Sequence, residues 1–154
     1  MRDIVVIGVG NEFGGDDAAG LLVARRLKEI VHGGVIVLEH SGDGAALMEL
    51  WEDAESVVLI DASGSGAVPG TIQRFDASAK PLPARSVRHS SHAFGVPEAI
   101  ETSRALKQLP PHVIVYAIEG RNFAAGAPVS PEVEAAIPIS LERVTREVEG
   151  ATGN

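Results

Sequence analysis

Four short runs of apolar, mostly β-branched residues punctuate the chain: Ile4–Ile7, Val35–Leu38, Val57–Ile60 and Val113–Ile118. None alternates between apolar and polar, which suits strands covered on both faces, as in a parallel sheet. A fifth run, Thr71-Ile72-Gln73-Arg74-Phe75, does alternate and reads as an edge strand. Helical spacing fills the intervals. Residues 17–31 set Val23, Ala24, Leu27, Ile30 and Val31 on one face, with Arg25, Lys28 and Glu29 largely opposite, and Gly33-Gly34 ends the helix. Residues 44–52 give a shorter helix, and residues 94–108 gather Val96, Ala99, Ile100 and Leu106, with Pro97 acceptable in a first turn. Ser130-Pro131-Glu132 opens a last helix with a capping hydroxyl, a proline at the first position and an acid near the positive end. Pro138 is expected to break or kink that helix, with residues 140–149 continuing it.

The order β-α-β-α-β-β-α-β-α predicts a single-domain three-layer α/β sandwich, with about five strands and helices on both faces of the sheet. Right-handed crossovers make it a small doubly wound fold. Residues 1–149 form the one domain, and residues 150–154 a flexible tail. Ligands of such folds sit beyond the carboxyl ends of the strands. Polar residues gather there: Asn11, Asp16 and Asp17 after the first strand, Glu39 and His40 after the second, Asp61 after the third, Glu119 after the last.

The formal net charge of −8 argues against nucleic-acid binding, which depends on phosphate neutralisation. With no cysteine, disulfides, thiolate nucleophiles and cysteine metal sites are excluded. Met1-Arg2-Asp3 leads straight into a strand-like run rather than a signal peptide, and no apolar stretch approaches the ~20 residues of a membrane span. The expected location is cytoplasmic. Two loops stand out. Residues 77–91 concentrate Lys80, Arg85, Arg88 and His89 in an otherwise acidic chain, and Gly120–Val129 is small-residue-rich and expected to be flexible.

The run from Gly8 to Asp17 reads as a strand, a glycine-rich turn and a helix start. Such turns often cradle phosphate. Here Asp16 and Asp17 occupy the phosphate's place, so the turn suits a cation or an acid/base pair. If the first and third strands are neighbours, Asp17 and Asp61 face one crevice, and His92, ahead of the third helix, completes an O, O, N set. Three such donors with open positions suit a divalent metal such as nickel or zinc. Each residue also has a plainer role: Asp16 a helix cap, Asp17 a charge near the helix dipole, Asp61 a turn residue bonded to the Ser63 or Gly64 amide, His92 a loop histidine. Asn11 would tie the glycine turn together, and Glu39 is a ribose-binding acid or a solvated strand end.

Several chemistries fail. The dinucleotide fingerprint places a glycine where Phe13 stands. No His-Glu-x-x-His or Gly-x-Ser-x-Gly occurs. Asp61-Ala62-Ser63-Gly64 differs by one inserted residue from the Asp-Ser-Gly of aspartic proteases.

Gly8-Val9-Gly10-Asn11 with Asp16-Asp17 and Gly20, then Asp61-Ala62, Ser91-His92, Tyr116-Ala117-Ile118-Glu119 and Ser130-Pro131-Glu132-Val133, resemble in order the hydrogenase maturation proteases, over about residues 4–145. The resemblance implies a single α/β domain with a twisted, mostly parallel sheet. It implies an endopeptidase that trims the C-terminal extension of a nickel–iron hydrogenase large-subunit precursor after nickel insertion. Asp17, Asp61 and His92 match the catalytic, metal-contacting positions; the nickel is carried by the substrate, and zinc or cadmium would substitute in vitro. Asp16 or Asp61 is the candidate base. Two departures are Ala18, where the family often has Gly, and Gly120, where it often has Pro; Gly120 is expected to loosen its loop. The alternatives are a non-cutting nickel-sensing or chaperone-like partner of the large subunit, and a nucleotide-binding domain using Gly8, Gly10, Gly14 and Glu39.

Overall fold

The computed structural model describes residues 4–88 and 92–152, with only the backbone of Thr152. His89, Ser90 and Ser91 lie outside the described residues, as do the last two residues of the expected tail. The elements are β1 (Ile4–Val9), α1 (Ala19–Lys28), β2 (Val35–His40), α2 (Gly44–Trp51), β3 (Ser56–Ser63), β4 (Ile72–Asp76), α3 (Val96–Ala105), β5 (His112–Glu119) and α4 (Pro131–Thr152). The five strands lie in the order β2-β1-β3-β5-β4. Four are parallel, and β4 runs antiparallel along β5 as the expected edge strand.

Successive strand residues point to opposite faces, and each face carries its own core. Val6, Val58, Ile60, Tyr116 and Ile118 meet Val23 and Leu27 of α1 and Val133, Ile137 and Val144 of α4. Val5, Ile7, Leu59, Val113 and Val115 meet Leu47 and Trp51 of α2 and Ala99 and Ile100 of α3. Each fully buried aliphatic side chain contributes about 1.5–3 kcal/mol. The three-layer α/β sandwich read from the sequence is the observed fold.

Four details depart from expectation. β2 is an edge strand, so its burial alternates: Val37 is buried while Ile36 is exposed. The first helix is shorter than residues 17–31; Gly15–Ala18 form a 3-10 turn, α1 ends at Lys28, and Ile30 faces solvent. Pro138 does not break the last helix, which runs unbroken from Pro131. Pro138 and Glu134 lie on its exposed side, where water can satisfy the carbonyl that proline leaves unbonded, and buried Val133, Ala136, Ile137 and Val144 pin both halves to the core. The helix also continues past residue 149 to Thr152.

Candidate active site

The site forms where β1 and β3, adjacent and parallel, give way to loops. Gly20 makes the approach possible: a methyl group there would overlap the Ile60 and Val9 carbonyl oxygens, so only glycine lets α1 settle on both strands. The loop before it is knotted by Asn11, as expected. The Asn11 side-chain oxygen accepts from the Phe13 N–H (2.9 Å), and its carbonyl accepts from the Gly14 N–H (3.1 Å). The Asn11 N–H donates to Asp17 Oδ2 (2.9 Å), which fixes that carboxylate at the cleft edge of the turn.

Asp61 stands one residue beyond the Gly8–Ile60 pair of the β1–β3 ladder and is 5% exposed. Its Oδ1 accepts from the Ala62 N–H at 2.8 Å, not from Ser63 or Gly64. Burial pushes its pKa well above the ordinary carboxylate range; the neighbouring Asp17 charge raises it further, and the Ala62 N–H and Arg88 act the other way. Asp17 is also raised, mainly by burial, against the pull of Arg88 and the Asn11 N–H. The two carboxylates therefore share one electrostatic neighbourhood, as the β1–β3 adjacency required.

Arg88 joins them. Its N–H donates to the Ala62 carbonyl (2.7 Å), its Nε lies 3.4 Å from Asp17 Oδ1, and its guanidinium lies 4.0 Å over the Phe123 ring. A cleft of about 510 Å³ opens beside it, lined by Asp61, Gly64, Arg88, His92, Val96 and Phe123 among others. His92 also borders a shallower groove with Asn11, Phe13 and His40. Burial lowers the basicity of His40; Asp43 opposes this and His92 reinforces it. The fold thus brings Asp61 and His92 to one cleft and Asp17 to Asp61, with Arg88 among them. Among the described residues, no three His, Asp or Glu side chains are arranged to hold a metal ion in this state.

Asp16 has a different task from those expected. It is fully buried and makes no helix cap. Its carboxylate accepts from the N–H groups of Arg121 (2.7 Å), Asn122 (3.1 Å) and Ser130 (2.7 Å), and from Ser130 Oγ (2.8 Å). Burial alone would raise its pKa, but these hydrogen bonds outweigh it and leave the pKa below its ordinary value. A carboxylate so satisfied is a clamp, not a base. The clamp also corrects the expected looseness of residues 120–129: Gly120 packs under the Phe123 ring and against Asp16, where a side chain would collide. Glu119 holds the next loop, accepting from the Ser65 N–H (3.2 Å), Ser65 Oγ (2.7 Å) and the Gly66 N–H (3.2 Å). Glu39 pairs with Arg25, which also reaches Glu12, so the nucleotide reading loses its ribose acid.

The basic character of residues 77–91 is legible in the sequence, but the pairing of Arg88 with Asp17 and Phe123 is set only in three dimensions, and no sequence signal singles out Phe123.

Residues 21–147 match the sequence model of the HycI family, described as hydrogenase maturation protease. A Methanocaldococcus jannaschii chain provisionally named a hydrogenase maturation protease is 29% identical over 153 residues, covering 96% of this chain and 97% of that one. The hydrogenase expression/formation protein HupD of Thiocapsa roseopersicina is 25% identical over 145 residues; this chain spans 91% of its own length but only 65% of that protein's. The solved hydrogenase maturating endopeptidase HybD of Escherichia coli superposes with a TM-score of 0.83 at 23% identity, covering 98% of this chain and 94% of that chain. The solved nickel–iron hydrogenase maturation protease HycI of Thermococcus kodakarensis gives 0.73 at 24% identity, over 96% and 93%. No helix among the described residues is long and apolar enough to cross a membrane.

Proposed function

Because this chain belongs to the hydrogenase maturation protease family, we propose that it removes the C-terminal extension of a nickel–iron hydrogenase large-subunit precursor once nickel has been inserted. In this reading the nickel belongs to the substrate, held by the precursor's own ligands, and Asp17, Asp61 and His92 meet it from the protease side. One observation carries the reading: Asp61 lines a cleft that also presents the His92 imidazole, and it lies within the electrostatic reach of Asp17 at the carboxyl edge of the sheet, both carboxylates being of raised basicity.

Hard and borderline donors of this kind suit a divalent ion better than any organic cofactor. Contact with the precursor's metal would place the scissile bond beside Asp61, and misplacement of reacting atoms by ~1 Å costs about 10²-fold in rate. Asp61, shielded from water and less acidic than a free carboxyl, is the group suited to accept a proton from the attacking water. Water oxygen bonds to the carbonyl carbon, the C–N bond breaks, and the proton passes to the departing amine. Asp16 supports this geometry from behind without exchanging protons.

The test is incubation of nickel-loaded precursor with the purified protein, followed by intact-mass spectrometry. A single cut that releases the C-terminal peptide is expected. Precursor that stays intact within a stable complex would instead identify a non-cutting, nickel-sensing partner.

A further inference from the structure

We infer that Arg88 is a built-in placeholder: its guanidinium holds the charge of Asp17 while its backbone is anchored next to Asp61, and it must leave before a divalent cation can be shared by the two carboxylates. The inference rests on the proposed contact of these carboxylates with a metal ion, and it concerns how that contact is controlled.

Three observations support it. Arg88 is not a loosely hanging surface residue at its root, because its N–H donates to the Ala62 carbonyl (2.7 Å), which fixes the residue alongside the end of β3 next to Asp61. Its Nε faces Asp17 at 3.4 Å, and its charge acts on Asp61 as well. The planar guanidinium also lies on the Phe123 ring, so it keeps a partner on the cleft wall when it releases the carboxylate.

Charge accounting gives the arrangement its meaning. Arg88 supplies the positive charge that faces Asp17 while no cation is present. A divalent cation would neutralise both carboxylates, and Arg88 would then be repelled from its place. A stray ion in solution must displace Arg88 with coordination energy alone. An ion that arrives inside a docked protein brings the rest of that interface to the exchange. Arg88 thus makes the site discriminate a delivered metal from a free one.

Calorimetric titration with cadmium(II) alone reads this without any cleavage. Arg88→Gln is expected to bind cadmium about tenfold more tightly than wild type. Arg88→Lys, which keeps the charge, should stay within about threefold of wild type. The double variant Arg88→Gln with Asp61→Asn should lose the gain. Melting curves establish that each variant is folded; the Arg88 side chain is 35% exposed, so its replacement leaves the core intact. Equal or weaker binding by Arg88→Gln overturns the placeholder while leaving the metal contact standing, and so does an equal gain in Arg88→Lys. A gain that survives Asp61→Asn places the ion elsewhere and overturns it too. If neither wild type nor Arg88→Gln binds cadmium, the placeholder and the metal contact fall together.

Discussion

Asp16 and Ser130, 114 residues apart in sequence, are joined twice: the Ser130 N–H donates to Oδ1 (2.7 Å) and its Oγ to Oδ2 (2.8 Å). That pair ties the start of α4 to the turn that carries Asp17. Asp16→Asn replaces one acceptor oxygen with a donor facing N–H groups. A loss of about 2–3 kcal/mol is expected, seen as a melting temperature lower by about 5–10 °C. The acid dependence follows from the sign of the shift. The folded-state pKa lies below the unfolded one, so the stabilisation is complete above the ordinary carboxylate range and is lost as pH falls through the folded value. Wild type and variant therefore converge in acid, and thermal melts across pH 2–7 check it.

Asp61 behaves oppositely. Its folded-state pKa is raised, so the folded protein holds the proton more tightly than the unfolded chain, and stability falls as pH rises from the unfolded toward the folded value. Asp61→Asn keeps the acceptor for the Ala62 N–H and removes the buried charge. The variant should melt a few degrees higher than wild type at neutral pH, on the order of 2–4 °C per kcal/mol, and match it in acid. Cleavage of precursor should fall by about 10²–10⁴-fold. A stabilised but inactive protein is the signature of a group retained for chemistry at the expense of stability.

Glu119 gathers Ser65 and Gly66 through both carboxylate oxygens. Glu119→Ala frees these donors, and hydrogen exchange at the Ser65 and Gly66 amides should accelerate while amides in β5 keep their protection. Unchanged exchange at Ser65 would mean that the loop is held by other contacts.

Gly20 sits where a methyl group would strike backbone oxygens of β1 and β3. Backbone cannot step aside as a side chain does. Gly20→Ala should cost about 1–3 kcal/mol, measured by urea denaturation, and should weaken cleavage as well because α1 carries Asp17's turn away from β3.

Much of this architecture was legible from the chain. Strands buried on both faces appear as uninterrupted apolar runs, and that is why β1, β3 and β5 stood out; the alternation of Thr71–Phe75 marked the edge strand. Asp17 and Asp61 could be brought together because adjacency of β1 and β3 follows from common topology. What stayed hidden depends on partners far away in sequence. Asp16 looked like a local cap because its true donors, Arg121, Asn122 and Ser130, enter only when α4 docks. Pro138 looked like a helix breaker because local propensity cannot anticipate an apolar face pinned at Val133, Ile137 and Val144. Arg88 was visible as charge in a basic loop, but its place beside Asp17 is set by a backbone bond to Ala62.

Nickel carried by the substrate is the central claim, and the most direct measurement compares single-turnover cleavage of one precursor in nickel-loaded and nickel-free form, read by the mass of its C-terminal peptide. The account predicts release of the peptide from the loaded form, and none from the nickel-free form over the same interval. Equal release from both would contradict it.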